Sequence, residues 1–110
     1  MSFLKSLKTI LDVKAIIPTD SAENWGSILH GVLPEDHKIK YEDLMQGKEY
    51  DNFIYPSIFK IITDNIKCKV ASFTAWEPIN TGIIERSVHS LYKYSPMLLQ
   101  SALKIMKEIL

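Results

Sequence analysis

Val13-Lys14-Ala15-Ile16-Ile17-Pro18-Thr19-Asp20-Ser21-Ala22-Glu23-Asn24-Trp25-Gly26-Ser27-Ile28-Leu29-His30-Gly31 is the stretch on which the fold turns. Its first five residues are apolar apart from Lys14 and partly β-branched, and Pro18 stops them; the pattern predicts a buried strand. Asp20 suits a helix N-cap, Glu23 three residues on completes a capping-box-like pair, and Gly31 supplies a C-terminal stop. A strand, a turn and a helix in that order open an α/β arrangement.

On the N-terminal side, Leu4, Leu7, Ile10 and Leu11 recur at helical spacing while Lys5, Lys8 and Thr9 face away. This predicts a short amphipathic helix over about residues 3–11. On the other side, residues 32–52 are polar and broken by Pro34 and Gly47, long for a connection; loops of that length tend to be functional or disordered. A second helix is expected from Pro56 or Ser57 to about Asn65. A second strand follows over residues 69–74 and runs into a strand-end loop, Ala75-Trp76-Glu77-Pro78. A short helical piece is expected over residues 82–89. The last helix starts at Ser95-Pro96 and turns Leu98, Leu99, Ala102, Leu103, Met106 and Leu110 inward.

Strands separated by helices predict a parallel sheet with right-handed crossovers. Two strands are too few for such a sheet, which needs neighbours and cover on both faces. The expected fold class is therefore α/β: one partial domain over residues 1–110, a partial parallel sheet with flanking helices, as a piece of something larger. Uncovered sheet edges and apolar faces predict self-association.

Composition narrows the function. At 46% hydrophobic residues the chain is no disordered segment. Thirteen Lys plus Arg balance thirteen Asp plus Glu, so no global field favours a nucleic acid polymer or an acidic membrane as partner. Cys68, the single cysteine, excludes an internal disulfide framework and a multi-cysteine zinc site. No apolar run approaches the ~20 residues that span a bilayer. Lys5, Lys8 and Asp12 interrupt any signal-peptide core, which leaves the cytoplasm as the default location.

The chemistry centres on Ser21. A hydroxyl at the first residue of a helix lies beside the free N–H groups of the first turn and the positive end of the dipole, a favourable place for a phosphate. Deprotonated, its oxygen could attack phosphorus, with the N–H groups and the Asn24 amide holding the developing charge. Asn24 returns to the side of Ser21 after one turn. Asp, Ser and Asn are also what any helix start looks like, and by spacing alone ordinary capping is the commoner reading.

Residues 18–37, Pro-Thr-Asp-Ser-Ala-Glu-Asn-Trp-Gly-Ser-Ile-Leu-His-Gly-Val-Leu-Pro-Glu-Asp-His, resemble the nucleophile segment of the alkaline phosphatase superfamily, in particular its type I phosphodiesterase/nucleotide pyrophosphatase branch. That branch shows Pro-Thr, a Thr or Ser nucleophile two residues later, Asn three further on, then Thr-Gly and Pro-Glu-x-His-Gly. The nucleophile falls on Ser21 and the oxyanion-binding amide on Asn24. The trailing motif falls on Gly31, Pro34, Glu35 and His37, with Lys38 in place of the last Gly. Asp20-Ser21-Ala22 repeats the Asp-Ser-Ala of classical alkaline phosphatases, and Tyr55-Pro56-Ser57-Ile58-Phe59-Lys60 and Trp76-Glu77-Pro78-Ile79-Asn80 look like the segments that follow in bacterial members.

The resemblance implies a fragment of an alkaline-phosphatase-like α/β/α sandwich, and a hydrolase of phosphate esters in which Ser21 forms a covalent phosphoenzyme. It also implies two divalent metal ions, zinc being the expected element, held by Asp and His ligands upstream and far downstream of this region. Only Ser21, whose oxygen contacts a metal in that family, is present here, so the chain alone is expected not to bind the pair. The alternative is a catalytically inactive, truncated α/β binding or interaction module. His30, His37 and His89 have no mutual spacing suited to a metal and are expected to be structural or solvated. Asp36-His37 belongs to the Pro-Glu-x-His loop. Cys68 is expected to be inert, Trp25 and Trp76 to pack, with Trp76 the alternative lining of a substrate cleft, and Lys104 and Lys107 to be solvated.

Overall fold

The computed structural model describes residues 6–17, 19–48, 50, 52–88, 91–94, 103, 104 and 106–108. Its first regular element is α1, Ser21–His30, entered from Asp20 in an extended conformation and closed by Gly31 at φ 72°. That left-handed conformation favours glycine, and the Gly31 N–H bonds the Ser27 carbonyl at 2.9 Å. Two short helices follow, α2 over Pro34–His37 and α3 over Tyr41–Met45. Both lie in the stretch expected to be a loop: Pro34 stands at the first helical position and acidic residues fill both first turns. The helix expected from Ser57 is α4, Ile58–Asn65, with the Ser57 hydroxyl accepting from the Lys60 N–H at 3.3 Å.

Strand β1 is Val70–Phe73, inside the expected second strand. It pairs in parallel with β2, Leu91–Tyr94, in the register Val70 to Leu91 through Phe73 to Tyr94. Between them Ile79–Ile83 forms a π-helical turn. The helical piece expected at 82–89 therefore begins earlier and ends before Ile84, whose backbone is extended; His89 lies outside the described residues.

Two expectations near the N-terminus fail. Residues 13–17 form no strand, and Val13 and Ile17 are 78% and 88% exposed. The partner of β1 is β2 rather than this segment, and the Ile16 backbone is taken instead by the Asn24 side chain. Of the helix expected over residues 3–11, Ser6 to Leu11 are described and are not helical, with Leu7, Ile10 and Leu11 exposed. A short helix with no surface to pack on is marginal in water. Of the last helix only Leu103, Lys104, Met106, Lys107 and Glu108 are described. They are helical, but Leu103 is exposed rather than turned inward.

The core gathers Ala22 of α1, Ile39, Leu44 of α3, Ile79 and Ile83 of the π turn, Ile84 and Val88. Phe53, Phe59 and Trp76 pack around it. A second clasp holds α4: the buried Glu85 carboxylate accepts from the Ser57 N–H at 2.7 Å and from the Ser57 hydroxyl at 2.5 Å. The core thus lies on one side of α1 and leaves the other side open.

Candidate functional site

Ser21 is the first residue of α1 and is exposed. The N–H groups of Ser21, Ala22 and Glu23 have no acceptor within the helix, as in any first turn. The first intrahelical bond runs from the Asn24 N–H to the Asp20 carbonyl at 3.1 Å. Asp20 makes no side-chain cap bond, so the expected capping-box pair is not formed. The Glu23 side chain turns inward instead and is buried.

Asn24 comes back beside Ser21 one turn later, and both line an open cleft of about 480 Å³ with Ile16, Trp25 and Ile28. The Asn24 amide is engaged in this arrangement. Its oxygen accepts from the Ile16 N–H at 2.9 Å, and its nitrogen donates to the Asp20 carbonyl at 3.0 Å and the Ile16 carbonyl at 3.3 Å. These bonds pin the incoming chain to the helix start. Acting as an oxyanion donor would require Asn24 to exchange them. Of the two tryptophans it is Trp25, in helical register with Ser21 and Ile28, that lines this cleft. Trp76 packs on the core and stacks with Tyr41 at 6.4 Å.

The two described histidines lie on the inner side of α1. Both ring nitrogens of buried His30 face backbone carbonyls, Tyr55 O at 2.8 Å and Ile83 O at 2.9 Å. A carbonyl only accepts, and the ring donates an N–H to whichever of the two its tautomer serves. His37 meets Ser27, the Glu23 carbonyl and the Ile39 N–H, and burial holds its pKa below the ordinary 6.5. Neither ring is turned to Ser21. This inner constellation escaped sequence reading because its partners are backbone groups 25 and 53 residues away for His30. The one available signal was Gly26: a glycine inside a helix marks a close approach.

A further polar group closes the 41–50 stretch. The Tyr50 hydroxyl donates to Asp43 at 2.8 Å and the Lys48 ammonium lies 3.3 Å from the same carboxylate. Burial and the Asp43 contact push Tyr50 up to about 12, while the Tyr50 and Lys48 bonds hold Asp43 below its usual value.

The described residues do not assemble a two-metal centre. Among the described residues no group of three or more His, Cys, Asp or Glu side chains is placed to hold a metal ion, and the two described histidines are occupied by backbone and Ser27. Cys68 is exposed, and among the described residues no helix is long and apolar enough to cross a membrane. Compared with protein-family models, curated proteins and solved structures, the chain finds no match.

Proposed function

We propose that this chain carries the nucleophile segment of a phosphoric ester hydrolase of the phosphodiesterase/nucleotide pyrophosphatase kind, on a partial α/β layer, with Ser21 as the phosphoryl-accepting hydroxyl. The observation that supports the reading is one of placement: Ser21 is exposed at the first residue of a ten-residue helix and shares an open cleft with Asn24. A phosphate ester there would meet the first-turn N–H groups and the dipole. Attack would form the Ser21 Oγ–P bond and break the ester P–O bond, the leaving oxygen departing with the electron pair. The Ser21 proton would pass to water or to the departing oxygen, since the two described histidines, His30 and His37, are engaged elsewhere. The hydroxyl is therefore a weak nucleophile in this chain.

A second reading, a non-catalytic phosphate-binding or interaction module, is favoured by the lack of a metal-holding group among the described residues. Both readings agree that the chain with added zinc hydrolyses aryl phosphate mono- or diesters at no more than a trace rate. The site that the hydrolase reading requires is tested by inorganic phosphate titrated into the chain and followed by amide NMR. The hydrolase reading expects shifts concentrated at the N–H groups of Ser21, Ala22 and Glu23, reduced in Ser21→Ala. Shifts centred elsewhere, or none in this turn, overturn it.

A further inference from the structure

His37 ends α2, is 4% exposed, and lays its ring against Gly26 of α1. A Cβ at Gly26 would stand 2.7 Å from the ring Cε1 and 2.9 Å from Nε2, so only glycine admits the ring there. The Ile39 N–H donates to Nδ1 at 3.0 Å. A backbone N–H only donates, so Nδ1 carries no proton and the ring proton sits on Nε2. Nε2 in turn faces the Glu23 carbonyl at 3.1 Å and the Ser27 hydroxyl at 3.2 Å. Between the two bonded residues, Lys38 is held at φ 62°, a left-handed conformation unusual for a side-chain-bearing residue. The 37–39 turn is thus kept in an uncommon backbone state by a ring that satisfies its partners only when neutral.

We propose that His37 is a proton-operated latch, which fastens the 34–39 turn to α1 when neutral and releases it when protonated. A proton on Nδ1 sets N–H against N–H. The Ile39 bond is lost, the strained Lys38 turn relaxes, and Ile39, 1% exposed when the latch is closed, is bared. The groups facing the ring are Glu23 and His30 from α1 and Asp36 from its own turn. Lys38, Lys48 and Tyr50 line the hollow beside it, and the π turn Ile79–Ile83 contributes no titratable side chain. Burial acts against protonation and His30 adds to it, while the bond to the Glu23 carbonyl and, after it, the Glu23 and Asp36 carboxylates favour protonation; the balance lowers the pKa from 6.5. A depressed value means that the neutral form is favoured by folding. The latch contributes in full above pH 6.5 and is lost as pH falls through the lowered value.

The latch does not depend on the phosphate-ester reading, and its test needs no substrate. Ring ¹⁵N shifts at neutral pH should report the Nε2–H tautomer for His37. Hydrogen exchange at Ile39 should then lose protection about tenfold per pH unit once His37 titrates, the slope expected for one linked proton. His37→Asn, which keeps an acceptor near the Nδ1 position and does not titrate, should make Ile39 protection independent of pH between about 4 and 7. An Nδ1–H tautomer in the unmutated chain overturns the latch without any variant having to fold. So does Ile39 protection that stays flat through the His37 titration.

Discussion

Along α1, Ala22, Glu23, Gly26, Ser27 and His30 turn to the interior, while Ser21, Trp25 and Ile28 stay open to the cleft and Asn24 lies between. The inner residues are as polar as the outer ones. They differ in what they meet: His30 and the ring laid on Gly26 bond backbone groups of distant elements, whereas Ser21 meets no fixed partner inside the helix. Polar chemistry on the inner face fixes the fold, and polar chemistry on the outer face is left available. The identity of a residue does not decide between these uses; the side of the helix does.

The sharpest way to break this contrast is His30→Ala. It removes the ring that lies between two carbonyls, Tyr55 O and the buried Ile83 O, and should cost about 2 kcal/mol, since an unsatisfied buried polar group costs about 1–3 kcal/mol. Urea unfolding measures it. A loss below about 1 kcal/mol would mean that water replaces the ring and that the inner face is not the anchor.

Gly26→Ala comes next, and its sign is the informative part. In an exposed helix interior the change stabilises by about 0.8–1 kcal/mol. Here the new methyl would stand 2.7 Å from the His37 ring, which is held by bonds at both nitrogens and has nowhere simple to move. Overpacking of this kind costs about 1–3 kcal/mol, so the net effect should be a destabilisation of about 1 kcal/mol. A gain in midpoint on denaturation would show the ring to be loosely seated.

These two sites also mark what the sequence discloses. α1, with its glycine stop, and α4, with Ser57 at its start, are legible because capping and turn chemistry are local. β1 falls inside the segment read as the second strand, between Lys69 and Thr74. The apolar run at residues 13–17 misleads because a strand needs a neighbour to pair with, and pairing is not a local property. There the Asn24 amide bonds the Ile16 backbone instead. β2, Leu91–Tyr94, is missed for the complementary reason, four residues giving too short a pattern to separate strand from turn. At the site, the placement of Ser21 and Asn24 on one turn follows from helical spacing alone. The burial of His30 and His37 does not, because their partners are backbone carbonyls and amides, which every residue carries.

Asn24→Ala tests the boundary between the faces. Its three bonds to Ile16 and Asp20 fasten the exposed 13–17 segment to the helix start. They are only part-buried or exposed, so the loss should be about 1 kcal/mol. The readout that matters is limited proteolysis: cleavage within residues 13–17 should speed up while α1 stays protected. Unchanged cleavage would mean that other contacts hold the segment.

The smallest effect on stability is expected for Ser21→Ala. The hydroxyl is exposed, stands at the first helical position rather than the cap, and makes no bond that holds another element. Alanine also has the better helix propensity, so the midpoint of urea unfolding should move by less than about 0.5 kcal/mol in either direction. The same change should reduce the response of the Ala22 and Glu23 amides to inorganic phosphate, because it removes the side-chain hydroxyl of the first helical residue. Ser21 is thus expected to carry ligand response without stability, and His30 to carry stability. A Ser21→Ala chain that loses 1 kcal/mol or more while its phosphate response is untouched would reverse the assignment, making the hydroxyl a structural cap and the outer face no different in kind from the inner one.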